Sequence, residues 1–334
     1  MKKFKSPNNK IQISRFLTYI IFLFLSAIIS CNLWGERTSK KGKEISQLSK
    51  NSDLKLWKGI ITDEKEDSEI RFSQPRAVGS SKKGILYIID RSGKVFAFDN
   101  RGEFLFRFPL PDFDKGTPTG IGFDQQNNVL LADTHYHRIL IFSPEGKEIG
   151  RFGEYGETAG KLIYPTDITT DEEGNYYVAE YGIKDRIIKF DHNHNFIKEW
   201  GGRGDGNGEL YLPMAIVLNS KGEVVVADSC NNRIQCFSKD GEFLRCFGEL
   251  GSKPGQLKYP YDIAVDKADN VFVIEYGNCR ISKFDRLGKF IRIFGKPGSD
   301  VSEFHSPWGI DILGSNLLVV ADTLNHRIVK IDKF

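Results

Sequence analysis

Apolar residues in this chain come in short runs, and each run ends at turn-forming residues. One stretch shows the pattern clearly: residues 263–265 lead into an Asp/Lys/Asn turn, and residues 271–274 lead into Tyr-Gly-Asn. Two further runs, 281–284 and 289–294, are separated by Arg-Leu-Gly. Runs of roughly four to six residues with such turns between them are typical of β-hairpins. No window repeats its apolar residues at helical spacing over three turns, so the sequence predicts an all-β fold.

This block of four runs recurs along the chain. Its copies start at a proline, and the first copy is degenerate: Pro75, Pro118, Pro165, Pro213, Pro260 and Pro307. The arginines that open the third run are 48, 47, 47 and 47 residues apart: Arg138, Arg186, Arg233, Arg280 and Arg327. Four antiparallel strands in a repeat of about 45 residues are typical of a β-propeller blade. The sequence therefore predicts a six-bladed β-propeller, with four antiparallel strands per blade, over residues 54–334.

The repeated pattern, P-x-G/D-I … V-A-D … N-x-R-I … F, resembles the NHL-repeat family. The resemblance extends over almost everything after residue 56, and it implies the propeller fold. It implies little about activity, because one propeller scaffold carries many unrelated functions.

The two ends of the repeat array predict how the ring closes. The last copy ends at residues 331–334, after its third strand, so its blade lacks a fourth. The sequence LKLW at residues 54–57 precedes the first copy, where a fourth strand would lie. An open sheet edge would leave backbone N–H and C=O groups without partners. We therefore expect about residues 54–60 to complete the last blade.

The first 31 residues have the pattern of a secretory signal. Residues 1–15 hold five Lys or Arg and no acid, and residues 16–30 (FLTYIIFLFLSAIIS) hold no charge. This apolar run is short for a membrane span, which needs about 20 residues. It ends in Ile-Ile-Ser-Cys, which resembles the lipobox of bacterial lipoproteins and would make Cys31 the lipidated N-terminus. The alternative is an uncleaved signal anchor with an incidental cysteine.

Residues 32–53 are polar and aperiodic, and we interpret them as a flexible tether rather than a short amphipathic helix. Together these features predict a lipid-anchored protein of the bacterial cell envelope, periplasmic or surface-exposed. Removing the first 31 residues, with their five basic side chains, lowers the net charge from +3 to −2. Nucleic-acid binding usually needs a basic face, so we expect no nucleic-acid partner, and we expect a monomer.

An acidic residue precedes each of the repeated arginines by five or six positions. These acids are Asp133, Glu180, Asp228, Glu275 and Asp322. Each acid ends one strand and each arginine begins the next, so the two can meet across the connecting turn. A catalytic pair is needed once, whereas this pair recurs in five repeats. We therefore interpret the pairs as scaffold.

The residue after the proline varies among the repeats, and only threonine occurs twice. These positions hold Arg76, Thr119, Thr166, Met214, Tyr261 and Trp308. Each begins the innermost strand, beside the central channel, so the set is a candidate site for a ligand or partner. Four further residues are expected to approach the same face: Asp167, Asp262, Tyr181 and Tyr276. The alternative is that all of them line a wet channel that binds nothing.

Residues 227–237 and 276–284 also resemble peptidyl-α-hydroxyglycine α-amidating lyases. In that family three histidines from separate blades hold zinc at the positions that follow the prolines. Here those positions carry no histidine. The two His-x-His pairs, at 135/137 and 192/194, lack nearby third and fourth ligands in the sequence, so we expect no metal and no cofactor.

Neither a Gly-x-Ser-x-Gly elbow nor a phosphate-binding P-loop occurs in the chain. The leading hypothesis is therefore a non-enzymatic envelope lipoprotein, whose propeller acts as a binding or scaffold module for a protein, peptide or glycan. The second hypothesis is a lyase- or hydrolase-like enzyme at the channel mouth. Its polar groups would be Asp167, Asp262, Tyr181 and Tyr276.

Four cysteines follow Cys31, in a compartment where disulfides can persist. Cys236 and Cys246 are predicted on neighbouring strands with their side chains diagonal on the same face. Cys230 and Cys279 are predicted in equivalent turns of adjacent blades, and either pairing stays open.

The tripeptide at residues 203–205 resembles the integrin-binding Arg-Gly-Asp. Other repeats carry a glycine-bearing link at the same place, so we interpret it as an inter-blade connection.

Overall fold

Strands and tight turns make up nearly all of the described chain. The computed structural model describes residues 54–57, 61–63, 68–314 and 317–332, which belong to a compact unit spanning Asp53–Phe334. The signal, lipobox and tether predicted for residues 1–53 lie outside the described residues and stay predictions. No helix in the described ranges is long and apolar enough to cross a membrane.

The described chain begins with strand β1 (Leu54–Trp57) and a small hairpin, β2 (Ile61–Asp63) and β3 (Ser68–Ile70). Five four-stranded antiparallel blades follow in chain order. Blade 1 contains β4 (Pro75–Ser80), β5 (Leu86–Asp90), β6 (Lys94–Phe98) and β7 (Phe104–Pro109). Blade 2 contains β8 (Gly120–Phe123), β9 (Val129–Asp133), β10 (Arg138–Phe142) and β11 (Glu148–Phe152), with a 3₁₀ turn at Thr134–Tyr136. Blade 3 contains β12 (Tyr164–Thr170), β13 (Tyr176–Tyr181), β14 (Arg186–Phe190) and β15 (Phe196–Gly201). Blade 4 contains β16 (Pro213–Leu218), β17 (Val224–Asp228), β18 (Arg233–Phe237) and β19 (Phe243–Phe247). Blade 5 contains β20 (Pro260–Val265), β21 (Val271–Glu275), β22 (Arg280–Phe284) and β23 (Phe290–Phe294).

The sixth blade joins the two ends of the described chain. It contains β24 (Gly309–Leu313), β25 (Leu317–Asp322), a 3₁₀ turn at Thr323–Asn325 and β26 (Arg327–Asp332). Its fourth strand is β1, which runs antiparallel to β26 with Leu54 opposite Ile331 and Trp57 opposite Ile328. The prediction of six four-stranded blades, the last closed by an N-terminal strand, is confirmed.

The hydrophobic core lies between neighbouring blades. Strands such as β9, β17 and β21 are buried along their whole length, because both faces of each sheet pack against another blade. The ring closes through such a layer: Val78 and Phe98 of blade 1 pack with Val319 and Ile328 of blade 6. Burial of each such side chain stabilises the fold by roughly 1.5–3 kcal/mol.

The acid–arginine pairs are present in blades 2 to 6, with Nε to carboxylate distances of 2.6 to 2.8 Å. Blade 5 shows their wider role. Glu275 accepts the backbone N–H of Lys258 at 3.1 Å, and Arg280 donates to the carbonyl oxygens of Ser252 and Gln256. Each pair therefore ties a turn to the loop that enters its blade, which is a scaffold role.

The four described cysteines are free thiols. The prediction that Cys236 and Cys246 share a face is wrong. A β-bulge between Cys236 and Phe237 shifts the register, so Cys246 lies opposite Gln235. Since a shift of one residue turns a side chain to the other face, Cys236 is buried in the core beside blade 5 while Cys246 is exposed.

The Arg-Gly-Asp tripeptide lies in the loop between blades 3 and 4. A parallel bridge between Arg203 and Leu210 closes this loop, and equivalent bridges close the loops at Tyr155, Leu250 and Pro297. Arg203 also lies over the Tyr211 ring, 4.5 Å from its centroid, so its side chain is held against the propeller. The contacts are those of an inter-blade connection.

Candidate functional site at the channel mouth

A β-bulge displaces the residue after the first proline in four blades. In blade 1, Pro75 pairs with Asp90 and Ala77 with Ile89, which leaves Arg76 outside the ladder. The equivalent residues of blades 3, 4 and 5 are displaced in the same way: Thr166, Met214 and Tyr261. Proline donates no N–H to the ladder, and a bulge re-aims the side chain that it carries. The repeated proline therefore explains why these side chains leave the regular faces of their sheets.

In blades 2 and 6 the corresponding residues, Thr119 and Trp308, stand directly before the innermost strand. All six positions thus lie at the same end of the central channel, which we call the mouth. Tyr181 and Tyr276 also belong to this end, because Tyr181 pairs with Tyr164 and Tyr276 follows the partner of Pro260.

A cavity of about 250 Å³ runs between the innermost strands of all six blades. At the mouth end it is lined by Thr119, Met214, Tyr261 and Trp308. Farther along the strands it is lined by three carboxylates: Asp167, Asp262 and Asp311. Asp311 was not predicted, because it follows its proline by four positions instead of two.

The three carboxylates connect one blade to the next. Each accepts a hydrogen bond from a backbone N–H of the following blade: Asp167 from Ile216 at 2.9 Å, Asp262 from Ile310 at 2.8 Å and Asp311 from Ser80 at 2.5 Å. Blade 2 has Gly120 beside Asp167, where a Cβ atom would stand 2.3 Å from the carboxylate oxygen. The acids that line the cavity are therefore part of the joints between blades.

Burial raises the pKa of all three carboxylates. The pKa of Asp167 rises to about 7 and that of Asp311 to about 6. The pKa of Asp262 lies well above the usual range, because burial is reinforced by the charge of Asp167. Near neutral pH these acids are therefore partly protonated.

The two threonines of the mouth also act as joints. Thr166 donates to the carbonyl oxygen of Pro213 at 2.7 Å, and Thr119 donates to that of Thr166 at 2.7 Å. Thr323 makes the same contact with Pro75, which links blade 6 to blade 1. The hydroxyls of Thr119 and Thr166 are thus engaged by neighbouring blades.

Aromatic side chains form two groups at the mouth. In the first, the Tyr261 ring stacks on that of Tyr276 with centroids 4.6 Å apart and meets the Trp308 ring edge-on at 5.1 Å. In the second, Tyr164 stacks on Tyr181 at 5.0 Å and lies beside His135 and His137, at 6.4 and 5.0 Å. The neighbours Tyr164 and His135 were not predicted, because contacts between blades leave no mark in the strand pattern.

Arg76 lies over the Trp308 ring, with its guanidinium carbon 4.1 Å from the ring centroid. Its Nε is fully buried without a hydrogen-bond partner, and within the described part of the chain no carboxylate pairs with it. Burial, helped by the charge of Arg91, lowers the pKa of Arg76 to about 10, so the side chain stays cationic at neutral pH. A desolvated cation without a counter-charge is the most unusual feature of the mouth.

The mouth does not fit the zinc site of the amidating lyases. Its six positions hold no histidine, and no cluster of three or more His, Cys, Asp or Glu suited to a metal occurs among the described residues. His137 bonds through Nδ1 to the carbonyl of Ile163, and His194 stacks on Phe152 at 4.2 Å. We therefore derive no chemistry from a metal.

The NHL-repeat family model matches residues 210–237 and 304–331, which run from the inter-blade loop to the third strand of blades 4 and 6. The chain carries NHL repeats. In this NHL propeller the matched stretches contain the proline, the acid and the arginine whose contacts are described above, and the same residues recur in blades 2, 3 and 5.

Several curated proteins are similar to the NHL propeller. Peptidyl-glycine alpha-amidating monooxygenase B of Xenopus laevis is 28% identical over 49% of this chain and 19% of its own length. A probable peptidyl-alpha-hydroxyglycine alpha-amidating lyase of Caenorhabditis elegans is 28% identical over 58% of this chain and 56% of its own. The chain thus spans about a fifth of the first relative and just over half of the second.

Among solved structures, virginiamycin B lyase from Staphylococcus aureus superposes with a TM-score of 0.57 at 16% sequence identity. The match covers 80% of this chain and 84% of the lyase. At this identity the likeness shows the fold. The homologues of the NHL propeller therefore include lyases, while its own mouth differs from the zinc-binding pattern.

Proposed function

We propose that the NHL propeller is a binding module whose mouth takes a peptide segment of a partner protein. One observation carries the proposal: the joints between blades repeat around the ring, whereas the six mouth positions hold five different residue types, and only threonine occurs twice. At the positions of Arg76, Tyr261 and Trp308, the other blades carry different residues, so these three side chains are not part of the repeated joints. A non-repeating set of aromatic and charged groups on a rigid ring is what an asymmetric ligand requires.

The choice of a peptide over a glycan rests on the relatives, whose names refer to peptidyl substrates. Tyr and Trp side chains at the mouth supply large contact areas with few rotatable bonds, as in the centres of protein interfaces. A protein or glycan partner without an extended segment is the competing outcome.

The experiment compares partner recovery from a cell-envelope extract. We expect Tyr261→Ala/Trp308→Ala to lose, by at least tenfold, the partners that the wild-type propeller retains. The matched control is Ile197→Ala/Leu287→Ala, which removes two exposed apolar side chains far from the mouth. Equal recovery by all three proteins, with unchanged circular dichroism, would reject the mouth as the binding surface.

We further propose that the protein is held in the envelope through a lipid on Cys31. Leu54 pairs with Ile331, at the end of β26 away from the mouth-side turn before Arg327. The first described strand therefore begins at the end of blade 6 that is opposite the mouth. Cys31→Ser should abolish incorporation of labelled palmitate, whereas Cys246→Ser should not; retained label in Cys31→Ser would exclude this anchor.

A second candidate is a lyase- or hydrolase-like activity, which the similarity to amidating lyases favours. The four polar groups suggested for this activity do not form one cluster. Asp167 and Asp262 line the cavity, whereas Tyr181 and Tyr276 lie at the mouth. Stoichiometric zinc or calcium in the purified protein, together with turnover of a peptidyl-α-hydroxyglycine, would favour this candidate over the binding module.

A further inference from the structure

We infer that the group recognised at the mouth is a carboxylate carried next to a flat apolar group, and that Arg76 binds it. The inference rests on the proposed function and names the chemistry of its ligand. Three features of the mouth support the inference: hydrogen-bond donors that have no acceptor, the positive charge of Arg76, and the aromatic side chains beside it.

The mouth holds donors without acceptors. Arg76 interacts electrostatically with Tyr181, Tyr261 and His135, and among the described residues none of these four side chains bonds to an acceptor. Burial raises the pKa of Tyr181 to about 12, so its hydroxyl keeps its proton. The Nε of Arg76 is a buried donor without an acceptor, which is costly, and an anionic ligand supplies the missing acceptor.

The buried positive charge of the mouth belongs to Arg76. The neighbouring Arg203 lies 3.6 Å from the carboxylate of Asp185, and Arg91 donates to the side-chain oxygen of Gln74 at 2.9 Å. Of these three arginines, Arg76 is the one whose side chain has no hydrogen-bonded or ion-paired partner among the described residues. A guanidinium matches a carboxylate with two parallel hydrogen bonds, which makes a carboxylate a fitting partner for Arg76.

The wall beside Arg76 is aromatic, with the Tyr261 ring set edge-on to the Trp308 ring. Trp308 covers one face of the guanidinium, and Tyr261 continues the wall to Tyr276, which is itself buried. A group attached to the bound carboxylate therefore meets ring surface rather than water. Aromatic or other flat apolar groups gain most from such contact.

The test uses two probes of the same shape, N-acetylphenylalanine and its uncharged amide, with calorimetry on the full-length protein. We expect the acid to bind at least tenfold more tightly than the amide. Arg76→Gln should lower affinity for the acid to that of the amide, and Arg76→Lys should lose most of the preference, because lysine lacks the planar fork. The control, Arg101→Gln, removes an exposed arginine on a hairpin away from the mouth.

Equal binding of acid and amide by the wild type would overturn the inference, as would full acid binding by Arg76→Gln. Inorganic phosphate that displaces the acid more strongly than acetate does would also overturn it. These outcomes are independent of partner recovery from envelope extract. A propeller that binds the acid but loses no partner in Tyr261→Ala/Trp308→Ala would reject the proposed function and leave the carboxylate site standing.

Discussion

Asp167 has two roles that conflict. Its carboxylate accepts the N–H of Ile216 and so joins blade 3 to blade 4, yet it lies in a cavity that strips it of water. Because burial outweighs the hydrogen bonds, the pKa in the folded state rises to about 7. The unfolded chain has the usual pKa near 4, so the folded state binds more protons between these two values.

Asp167→Asn tests this linkage. As pH rises from about 4 to about 8, the folded wild type must release a proton that it holds, so its unfolding free energy falls. Asparagine keeps an oxygen acceptor for Ile216 but does not titrate. We expect the melting temperature of the wild type to drop more steeply across this range than that of Asp167→Asn. The exposed Asp114→Asn is the control, and parallel melting profiles for all three proteins would contradict the prediction.

The single residues show what the sequence could and could not predict. Asp167 and Asp262 were predicted near the channel, because they stand at one fixed distance from their prolines. Their bonds to the next blade were not predictable, since the partners lie 49 and 48 residues away. The same holds for Thr119, whose hydroxyl bonds to a residue 47 positions later. Strand patterns report local burial, while these contacts come from closure of the ring.

At the scale of the strand, small irregularities decide where side chains point. The strands themselves were predicted well, because their alternation and turn residues are local. The bulge at Cys236 and Phe237 was not, and it made the predicted face of Cys246 wrong. A bulge adds one residue without changing composition, so only the pairing reveals it. The bulges after the prolines have the opposite effect, since they place Arg76 and Tyr261 at the mouth.

A substitution at Arg280 measures how much one acid–arginine pair contributes to the free energy of unfolding. Its guanidinium pairs with the buried Glu275 at 2.7 Å and donates to carbonyl oxygens of the inter-blade loop. Arg280→Met would leave the Glu275 charge buried without its partner, which costs about 3–5 kcal/mol of unfolding free energy. Urea denaturation should show this loss, whereas the exposed Arg286→Met should change little. A loss below about 1 kcal/mol would mean that the pair is dispensable.

At the scale of the whole molecule, the ring depends on its two ends meeting. The six copies of the repeat predicted the number of blades, and the missing strand of the last copy predicted the role of β1. The mouth was predicted only as a set of positions. Its chemistry, with Arg76 of blade 1 over Trp308 of blade 6, exists because closure brings together residues more than two hundred positions apart.

A disulfide across the closing pair tests this dependence directly. Lys55 and Lys330 lie opposite each other in β1 and β26, so cysteines at both positions have the spacing that a disulfide needs. The bond would close a loop of 275 residues and restrict the unfolded chain, which by chain entropy stabilises the fold by roughly 5.6 kcal/mol at most. In a Cys246→Ser background, Lys55→Cys/Lys330→Cys should melt several degrees higher when oxidised than when reduced.

Lys55→Cys/Val329→Cys is one position out of register, and strand alternation puts its thiols on opposite faces, so it should not cross-link. Efficient cross-linking of that second pair, or a melting temperature unchanged by reduction of the first, would show that the ring does not depend on this closure.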